Sequence, residues 1–144
     1  MTIVNKSFDE LTSHELYELL RVRAEVFVVE QSCIYQDLDR IDYDSRHVLL
    51  YDEDEIVAYL RVFSDGDGIA RIGRVLTTRR GCGFGLTCMK EGIRSAIEDL
   101  SADSVLIDAQ VYAIDFYKRL GFRVTSNEFL EDGIPHVKME LDLN

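Results

Sequence analysis

Residues 75–85 read Val-Leu-Thr-Thr-Arg-Arg-Gly-Cys-Gly-Phe-Gly, and this stretch decides the fold. Residues 69–77 are typical of a strand and residues 83–100 carry apolar side chains at helical spacing, so a strand passes into a helix through a turn with three alternating glycines. Glycine accepts a positive φ and lets a ligand approach the backbone closely, while the first amides of a helix are unsatisfied donors that favour an anion. Arg79 and Arg80 add positive charge beside those amides. The stretch therefore predicts that main-chain donors hold a pyrophosphate group.

Other glycine-rich signatures do not match this turn. A dinucleotide fingerprint, G-x-G-x-x-G, requires a third glycine where Leu86 or Cys88 stands. A P-loop requires Gly-Lys followed by Ser or Thr, which the stretch lacks. The turn by itself leaves one alternative open, a tight strand-to-helix connection that holds no ligand.

Periodicity along the rest of the chain predicts a single mixed α/β domain over residues 1–144. A capping box formed by Thr12 and Glu15 marks the start of an amphipathic helix at 13–28. An acidic segment with little periodicity follows at 30–45, where we expect an ordered loop or a short helix on the surface. The order of elements is β-α-β-β-β-α-β-α-β-β, which indicates a mixed sheet with helices on its faces. The predicted strands are 2–8, 47–51, 55–63, 69–77, 104–109, 122–130 and 136–141, and the predicted helices are 13–28, 83–100 and 112–120.

Length and composition exclude several classes of protein. The 144 residues suit one compact domain, and one Pro with nine Gly argues against long disordered tracts. No apolar run approaches the roughly 18 residues that cross a bilayer, and the N-terminus lacks the residue order of a signal peptide. Three cysteines, Cys33, Cys82 and Cys88, cannot all pair within the chain, and their spacing does not match paired zinc ligands. We therefore expect a cytoplasmic protein with no metal site and no membrane contact.

Charge is distributed unevenly along the chain. The net charge of −11 argues against nucleic-acid binding, which needs clustered Lys and Arg. Residues 71–94 nevertheless contain six basic residues and one acid, so the rest of the chain carries −16. Residues 25–55 contain ten acids against Arg40 and Arg46. Two interpretations stay open: two solvated faces of opposite sign, or an anionic ligand on the first stretch and a cationic ligand near the second.

Two motifs, in the expected order, resemble the signatures of the GNAT acetyltransferases, a family of acetyl-CoA-dependent N-acetyltransferases. Val-x-x-x-x-Arg-Gly-x-Gly-x-Gly over residues 75–85 is similar to the acetyl-CoA-binding motif of the family. Asp-Phe-Tyr-Lys-Arg-Leu-Gly-Phe over residues 115–122 resembles its second motif, a helix that carries a tyrosine and ends in Gly-Phe. Further segments, which extend the resemblance over nearly the whole chain, are similar to the ElaA-like branch: Leu-Tyr-Glu-Leu-Leu at 16–20, Phe-Val-Val-Glu-Gln at 27–31, Tyr-Gln-Asp-Leu-Asp at 35–39, Arg-Ile-Gly-Arg-Val at 71–75 and Glu-Asp-Gly-Ile-Pro-His at 131–136.

The resemblance implies a mixed, mostly antiparallel sheet with helices on both faces, whose strands splay into a V-shaped cofactor cleft. Acetyl-CoA would be the acetyl donor. Backbone groups of Val75 and Thr77, with Leu76 between them, would pair with its pantetheine arm, and an amide near Val75 would polarise the acetyl carbonyl. The family often has Pro where Thr77 stands and Asn where Gln110 stands, and Gln110 is the candidate for a further polar contact. The pyrophosphate would contact the glycine turn: Arg80, Gly81, Cys82, Gly83, Phe84 and Gly85.

The implied reaction is direct attack of a neutral amine on the thioester. Tyr117 would protonate the departing sulfur, since a phenol with a pKa near about 10 stays protonated at neutral pH; the alternative is a core tyrosine whose hydroxyl is bonded elsewhere. Glu30 is the leading carboxylate for removing the amine proton, directly or through water; the alternative is a surface acid. His136 and His47 are further candidates, and solvent is another proton acceptor if no dedicated base exists.

Three hypotheses for function follow. The first is an enzyme that acetylates a primary amine of a small molecule or peptide, where the acidic remainder of the chain favours a cationic acceptor such as a polyamine, an aminosugar or a lysine-like amine. The second is a catalytically silent acetyl-CoA-binding sensor or interaction module. The third is a binder of another anionic ligand through the glycine turn. An acetyl-cysteine at Cys82 is not expected, because that position should face phosphate rather than thioester. A homodimer, if one forms, would use the sheet edges or the hairpin at 128–141.

Overall fold

A computed structural model describes residues 1–144 and shows one open sheet of eight strands. The first helix continues into a π-helical segment at Ala24–Glu30. No helix is long and apolar enough to span a bilayer. The strands are β1 (Thr2–Ser7), β2 (Arg46–Asp52), β3 (Glu55–Ser64), β4 (Ile69–Thr77), β5 (Ser104–Gln110), β6 (Arg123–Val124), β7 (Phe129–Glu131) and β8 (Ile134–Asp142). The helices are α1 (Ser13–Arg23), α2 (Phe84–Glu98) and α3 (Ile114–Arg119), with 3₁₀ turns at Phe8–Glu10, Ile41–Asp44 and Val111–Ala113.

The sheet is mostly antiparallel, as predicted. Its strands lie in the order β1-β2-β3-β4-β5-β8-β6, and β7 also pairs with β8. The pair formed by β4 and β5 is parallel, and every other pair is antiparallel. The chain therefore forms the mixed α/β architecture that the order of its predicted elements indicates.

Side-chain alternation divides the core between the two faces of the sheet. In β2, Val48 and Leu50 pack into the cluster beneath α2, whereas Leu49 packs into the cluster beneath α1. In β3, Leu60 packs beneath α2 and Tyr59 beneath α1. All five side chains are at most 2% exposed. Because successive side chains of a strand point to opposite faces, this pattern places a helix on each face of the sheet.

The two parallel strands separate partway along their length. Pairing between β4 and β5 runs from Ile69 opposite Ser104 to Arg71 opposite Leu106 and ends there. Beyond that point β4 stays paired with β3, and β5 stays paired with β8. The sheet therefore opens into a V between β4 and β5, which confirms the splayed strands implied by the family resemblance.

A β-bulge in β4 lies where the strands separate. Gly73 pairs with Arg61 and Leu76 pairs with Tyr59, so β4 contains one extra residue in this interval. Arg74 lies in the bulge with a φ of 52°, in the left-handed region that few non-glycine residues adopt. Bulges bend a strand and increase its local twist. This bulge therefore contributes to the divergence of β4 from β5.

Buried ion pairs attach the acidic segment to α1 and to the sheet. Arg23 is fully buried and donates from Nε to Asp37 at 3.0 Å and from Nη1 to Asp42 at 2.6 Å. Arg61 donates from Nη2 to Asp39 at 2.6 Å and from Nη1 to Asp42 at 3.0 Å. Burial of these charges is tolerated because every charge has an opposite partner. The buried ion network, as we call it, consists of Arg23, Asp37, Asp39, Asp42, Arg61 and Arg74.

The structure differs from the sequence prediction in two elements that flank the site. The first helix does not end at residue 28 but continues to Glu30 as a π-helical segment. The strand predicted at 122–130 is divided into β6 and β7, which pair with β8 in two registers. Between them the Ser126 hydroxyl accepts a hydrogen bond from the Lys138 amide at 2.8 Å, in place of a backbone partner. A side chain thus interrupts the ladder that the apolar pattern predicted to be continuous.

Replacing Arg23 with Met is expected to destabilise the protein by about 3–5 kcal/mol, because Asp37 and Asp42 would remain buried without their shared cation. Urea unfolding at neutral pH measures this loss. The control is Arg21→Met on the same helix, where an exposed pair with Glu18 should contribute less than about 1 kcal/mol. Equal effects of the two substitutions would contradict the importance of the buried ion network.

Acid should weaken the network through Asp39. Burial alone would raise the pKa of Asp39, but hydrogen bonds and charge from Arg61, with the charge of Arg74, lower it to about 2. Because the folded pKa lies below the ordinary value of 3.8, the stabilisation is present above that value and is lost as pH falls towards about 2. Asp39→Asn should therefore be less stable than wild type at pH 7, and the difference in urea midpoint should shrink on acidification across this window. A constant difference would argue against the ion pair.

Candidate functional site

A cleft of about 1520 Å³ occupies the opening between β4 and β5. Its walls come from the π-helical segment, β4, the glycine turn, the start of α2, the end of β5, α3 and the β7–β8 hairpin. The structure brings all the predicted site residues to this cleft except Cys82. Those that line it are Glu30, Val75, Leu76, Thr77, Arg80, Gly81, Gly83, Phe84, Gly85, Gln110 and Tyr117.

The glycine turn presents open backbone at the N-terminus of α2. Gly81 and Gly83 both have a φ of +75°, and a Cβ built on either residue would meet no atom within 4 Å. Gly83 is the N-cap of α2, and no side chain caps the helix. Its first amides are therefore available donors beside an unfilled space, an arrangement suited to an anion.

Gly85 has a different role from the two glycines before it. A Cβ at Gly85 would lie 3.3 Å from Cγ2 of Thr77 and 3.6 Å from Cζ of Phe116. The absence of a side chain therefore lets the first turn of α2 pack closely against β4 and α3. Phe84 is half-buried and packs against the main core. The turn thus combines an open backbone with a tightly packed base.

The backbone of β4 has an unpaired edge that faces the cleft. The amide of Thr78 donates to the carbonyl of Val57 in β3 at 3.0 Å. Because backbone groups alternate in direction along a strand, those of Thr77 and Val75 point away from β3, towards the opening where β5 is no longer paired. The Leu76 side chain packs in the cluster beneath α1 and is 4% exposed, so the side chain at this predicted contact belongs to the core.

Tyr117 reaches the cleft from α3. Its ring is 8% exposed and packs edge-on against Phe116 and Phe122. Its hydroxyl has no hydrogen-bond partner within the protein and opens on the cleft. Burial, with a smaller contribution from Tyr112, raises the pKa of Tyr117 above its usual range, so the phenol is protonated at neutral pH. Tyr117 thus packs in the core through its ring, while its hydroxyl makes no hydrogen bond to the protein.

Gln110 and His136 lie on the side of the cleft formed by the end of β5 and the beginning of β8. Gln110 ends β5 directly opposite His136 of β8. His136 is 6% exposed, and its Nδ1 lies 2.7 Å from the carbonyl oxygen of Ile134. Both residues line the cleft.

The other two candidate bases differ from His136 in their surroundings. Glu30 lies exposed at the end of the π-helical segment and makes no hydrogen bond or ion pair. His47 is fully buried away from the cleft: its Nε2 donates to the Asp42 carbonyl at 2.9 Å, and its Nδ1 accepts from the Tyr59 hydroxyl at 2.6 Å. Burial lowers the pKa of His47. His47 is therefore a structural hydrogen-bonding residue.

Ion pairing changes the charge distribution expected from the sequence. Asp37, Asp39 and Asp42 are neutralised within the buried ion network, so this part of the acidic segment adds no free negative charge. Arg79, which was expected to support an anion, instead pairs with Asp52 at 2.7 Å and with Glu55. The charge available to a ligand in the cleft therefore comes from the side chains that form no ion pair.

The unpaired charges that line the cleft separate by sign. The unpaired cations belong to the glycine turn, α2 and α3, whereas the carboxylates without a basic Lys or Arg partner belong to the π-helical segment and the β7–β8 hairpin. The sequence prediction missed most of these residues, although helical spacing from Gly83 offered a signal for Lys90. The cations are Arg80, Lys90 and Arg119, and the carboxylates are Glu30, Glu131 and Asp132.

The three cysteines differ in exposure, and Cys33, which lines the cleft, is half-buried. Cys82 is exposed, and its Sγ contacts the carbonyl of Arg80 at 3.6 Å rather than lining the cleft. Burial raises the pKa of Cys88 to about 12, which makes that thiol inert at neutral pH. No group of three or more His, Cys, Asp or Glu side chains is placed to hold a metal ion.

Comparison with known proteins assigns a family to this geometry. The family model for the acetyltransferase (GNAT) domain matches residues 11–143. The chain is 38% identical to protein ElaA of Escherichia coli over 136 residues, covering 90% of this chain and 89% of that protein. It is 36% identical to a UPF0039 protein of Schizosaccharomyces pombe over 147 residues, covering 99% of this chain and 98% of that protein.

Solved structures show the same relationship. The crystal structure of E. coli ElaA matches with a TM-score of 0.92 at 34% identity, covering 99% of this chain and 100% of that chain. An acyl-CoA N-acyltransferase from Pseudomonas aeruginosa matches with a TM-score of 0.89 at 36% identity, covering 98% of this chain and 99% of that chain. The similarity thus extends over the whole fold, including both walls of the cleft.

Proposed function

The chain belongs to the GNAT acetyltransferase family, and we propose that it transfers an acetyl group from acetyl-CoA to a primary amine of a small molecule or peptide. One observation carries the proposal: the unpaired edge of β4 leads directly to the uncapped N-terminus of α2 behind an open glycine turn. An extended arm that ends in phosphates fits this combination. The arm would pair with the edge of β4 as an added strand does, and its phosphates would then lie at the amides of α2.

The residues present fit acetyl-CoA along the length of the cleft. Amides at 80–85 would hold the pyrophosphate. The Arg80 side chain, which makes no ion pair within the protein, would add positive charge there. Backbone groups of Val75 and Thr77 would pair with the pantetheine arm. An amide near Val75 would donate to the acetyl oxygen as negative charge develops there. The acetyl donor supplies the thioester carbonyl; the protein's contribution is to orient it and polarise it.

Tyr117 is placed to give a proton to the leaving sulfur. Its hydroxyl makes no hydrogen bond to the protein that proton donation would break. Its raised pKa keeps the phenol protonated until a thiolate forms. The buried ring holds the hydroxyl in position through its contacts with Phe116 and Phe122. We propose Tyr117 as the general acid.

The acceptor is proposed to be cationic. The support is the set of carboxylates without a Lys or Arg partner at Glu30, Glu131 and Asp132, rather than the acidic segment as a whole. These groups lie on elements separate from those that carry the unpaired cations. A phosphate-bearing donor and a positively charged acceptor would thus meet complementary charge on different walls of the cleft.

Acetyl-CoA affinity should depend on the glycine turn. Isothermal titration should show binding to wild type and none to the double variant Arg80→Glu with Gly83→Asp, which adds two carboxylates to the proposed pyrophosphate site. The matched control, Arg123→Glu with Gly66→Asp, changes the same residue types, and Gly66 also has a positive φ and open space but lies outside the cleft. A folded wild type that does not bind acetyl-CoA would overturn the proposed function.

Removing the Tyr117 hydroxyl should separate catalysis from stability. Tyr117→Phe is expected to lower kcat by about 10²- to 10⁴-fold, the usual contribution of a general acid, while acetyl-CoA binding stays unchanged. Because the hydroxyl has no protein partner, thermal stability should change little. Release of the CoA thiol across a panel of amines measures turnover, and Tyr17→Phe, at an exposed tyrosine of α1 outside the cleft, is the control. Binding without turnover by wild type on every amine would instead support a silent acetyl-CoA-binding module.

A further inference from the structure

We propose that His136 accepts the proton of the attacking amine and that Glu131 transfers it to solvent. This inference rests on the proposed acetyltransferase function and assigns the base, which the sequence left open between Glu30, two histidines and solvent. It follows from the geometry of the β7–β8 hairpin. Ile134 supplies one contact to the imidazole ring, and Glu131 supplies another.

The hairpin determines which ring nitrogen of His136 carries hydrogen. Nδ1 lies 2.7 Å from the carbonyl oxygen of Ile134, and a carbonyl can only accept a hydrogen bond. Nδ1 must therefore be the protonated nitrogen of the neutral ring. The lone pair is consequently on Nε2, the position from which a histidine can take a proton.

Glu131 lies beside that lone pair. Its Oε2 is 3.5 Å from Nε2 of His136, and the carboxylate is half exposed to solvent. When Nε2 gains a proton, the imidazolium forms an ion pair with Glu131 and keeps its hydrogen bond to Ile134. The exposed carboxylate then offers a route for the proton to water.

The ring is held in place as well as oriented. It is 6% exposed and stacks on Phe129, with centroids 6.0 Å apart and an interplanar angle of 25°. Glu30 has no comparable constraint, because it is exposed and makes no hydrogen bond. A base held by surrounding contacts does not lose side-chain freedom in the transition state. The geometry therefore favours His136 over Glu30.

The proton balance of the reaction uses both His136 and Tyr117. An alkylammonium loses two protons when it becomes an amide, and one proton is released while the other ends on the CoA sulfur. His136 takes the first, so that the neutral amine can form the new C–N bond as the C–S bond breaks. Tyr117 donates to the sulfur, and the second amine proton restores Tyr117 through water. No oxidant or further reactant is needed.

Other titratable groups share the cleft walls and must be considered in a pH profile. Glu131 is the charged group in contact with the ring, and Phe129 covers one face. Gln110, opposite on β5, is neutral. Glu30, Cys33 and Tyr35 lie on or after the π-helical segment, and Asp132 lies on the hairpin. The other titratable or charged residues that line the cleft are Asp39, Arg61, Arg71, Arg74, Arg79, Arg80, Lys90, Asp108, Tyr112, Tyr117 and Arg119.

The test compares His136→Asn, which keeps a donor near Ile134 but cannot titrate, with wild type on spermidine, glucosamine and a lysine amide. We expect kcat/KM at pH 7 to fall by about 10²- to 10⁴-fold, with acetyl-CoA affinity and thermal stability retained. The limb of the pH profile that reports loss of a proton from one enzyme group should disappear in the variant. Glu131→Gln should slow turnover by about tenfold, whereas Glu128→Gln, outside the cleft on the same hairpin, should not.

The outcomes distinguish a failure of this inference from a failure of the proposed function. If wild type turns over and His136→Asn keeps both its rate and its pH limb, His136 is not the base although the enzyme is an acetyltransferase. If wild type binds acetyl-CoA but acetylates none of the three amines, the acetyltransferase function fails and this inference fails with it. Long-range ¹H–¹⁵N spectra of the imidazole give a readout without turnover: protonated Nε2 with bare Nδ1 in the neutral ring would overturn the assignment.

Discussion

The cleft depends on one constraint, the end of pairing between β4 and β5 at Arg71 and Leu106. Backbone donors and acceptors in a protein need partners, and those of a strand that leaves its neighbour must find them elsewhere. Both strands keep their outer partners, β3 and β8, so the sheet opens without either strand losing its support. The inner edge of β4 is thereby left as a ready partner for an extended ligand. The functional surface is thus created by removing an interaction from the sheet.

The bulge that bends β4 is held by ion pairs from outside the sheet. Arg74 has a φ of 52°, a backbone conformation that surrounding contacts must maintain. Its Nε donates to Asp37 at 2.8 Å, and Asp37 is also bound by the buried Arg23 of α1. A helix on one face of the sheet therefore fixes the strand that forms one wall of the cleft. This connection explains why the acidic segment is anchored rather than solvated along most of its length: three of its carboxylates, Asp37, Asp39 and Asp42, are structural.

Much of the fold could be predicted from local pattern, and the remainder depends on distant contacts. The strand-turn-helix at 75–85 could be predicted because periodicity and glycine spacing are local properties, whereas the site role of Tyr117 was inferred from the family resemblance of residues 115–122. The ion-pair partners of the charged residues could not be predicted from local sequence pattern. Arg79 was expected to serve an anion, yet it pairs with Asp52, which is 27 residues earlier in the chain. Nothing near Arg79 in the sequence indicates that contact. The split of the strand at 122–130 was missed for a related reason, since a single hydroxyl, that of Ser126, breaks the ladder.

The two walls also differ in how they recognise what lies between them. On the side proposed to hold the cofactor, the groups available for contact are backbone groups of β4 and the glycine turn, and their positions follow from the sheet and the helix. On the side proposed to face the acceptor, the available groups are side chains such as Glu30 and Glu131, which belong to a helix end and a hairpin. Substitution at those positions alters the wall without altering the sheet. The proposed class of donor therefore follows from the local geometry of the chain, whereas the proposed acceptor site depends on a few exposed side chains whose arrangement no periodicity constrains.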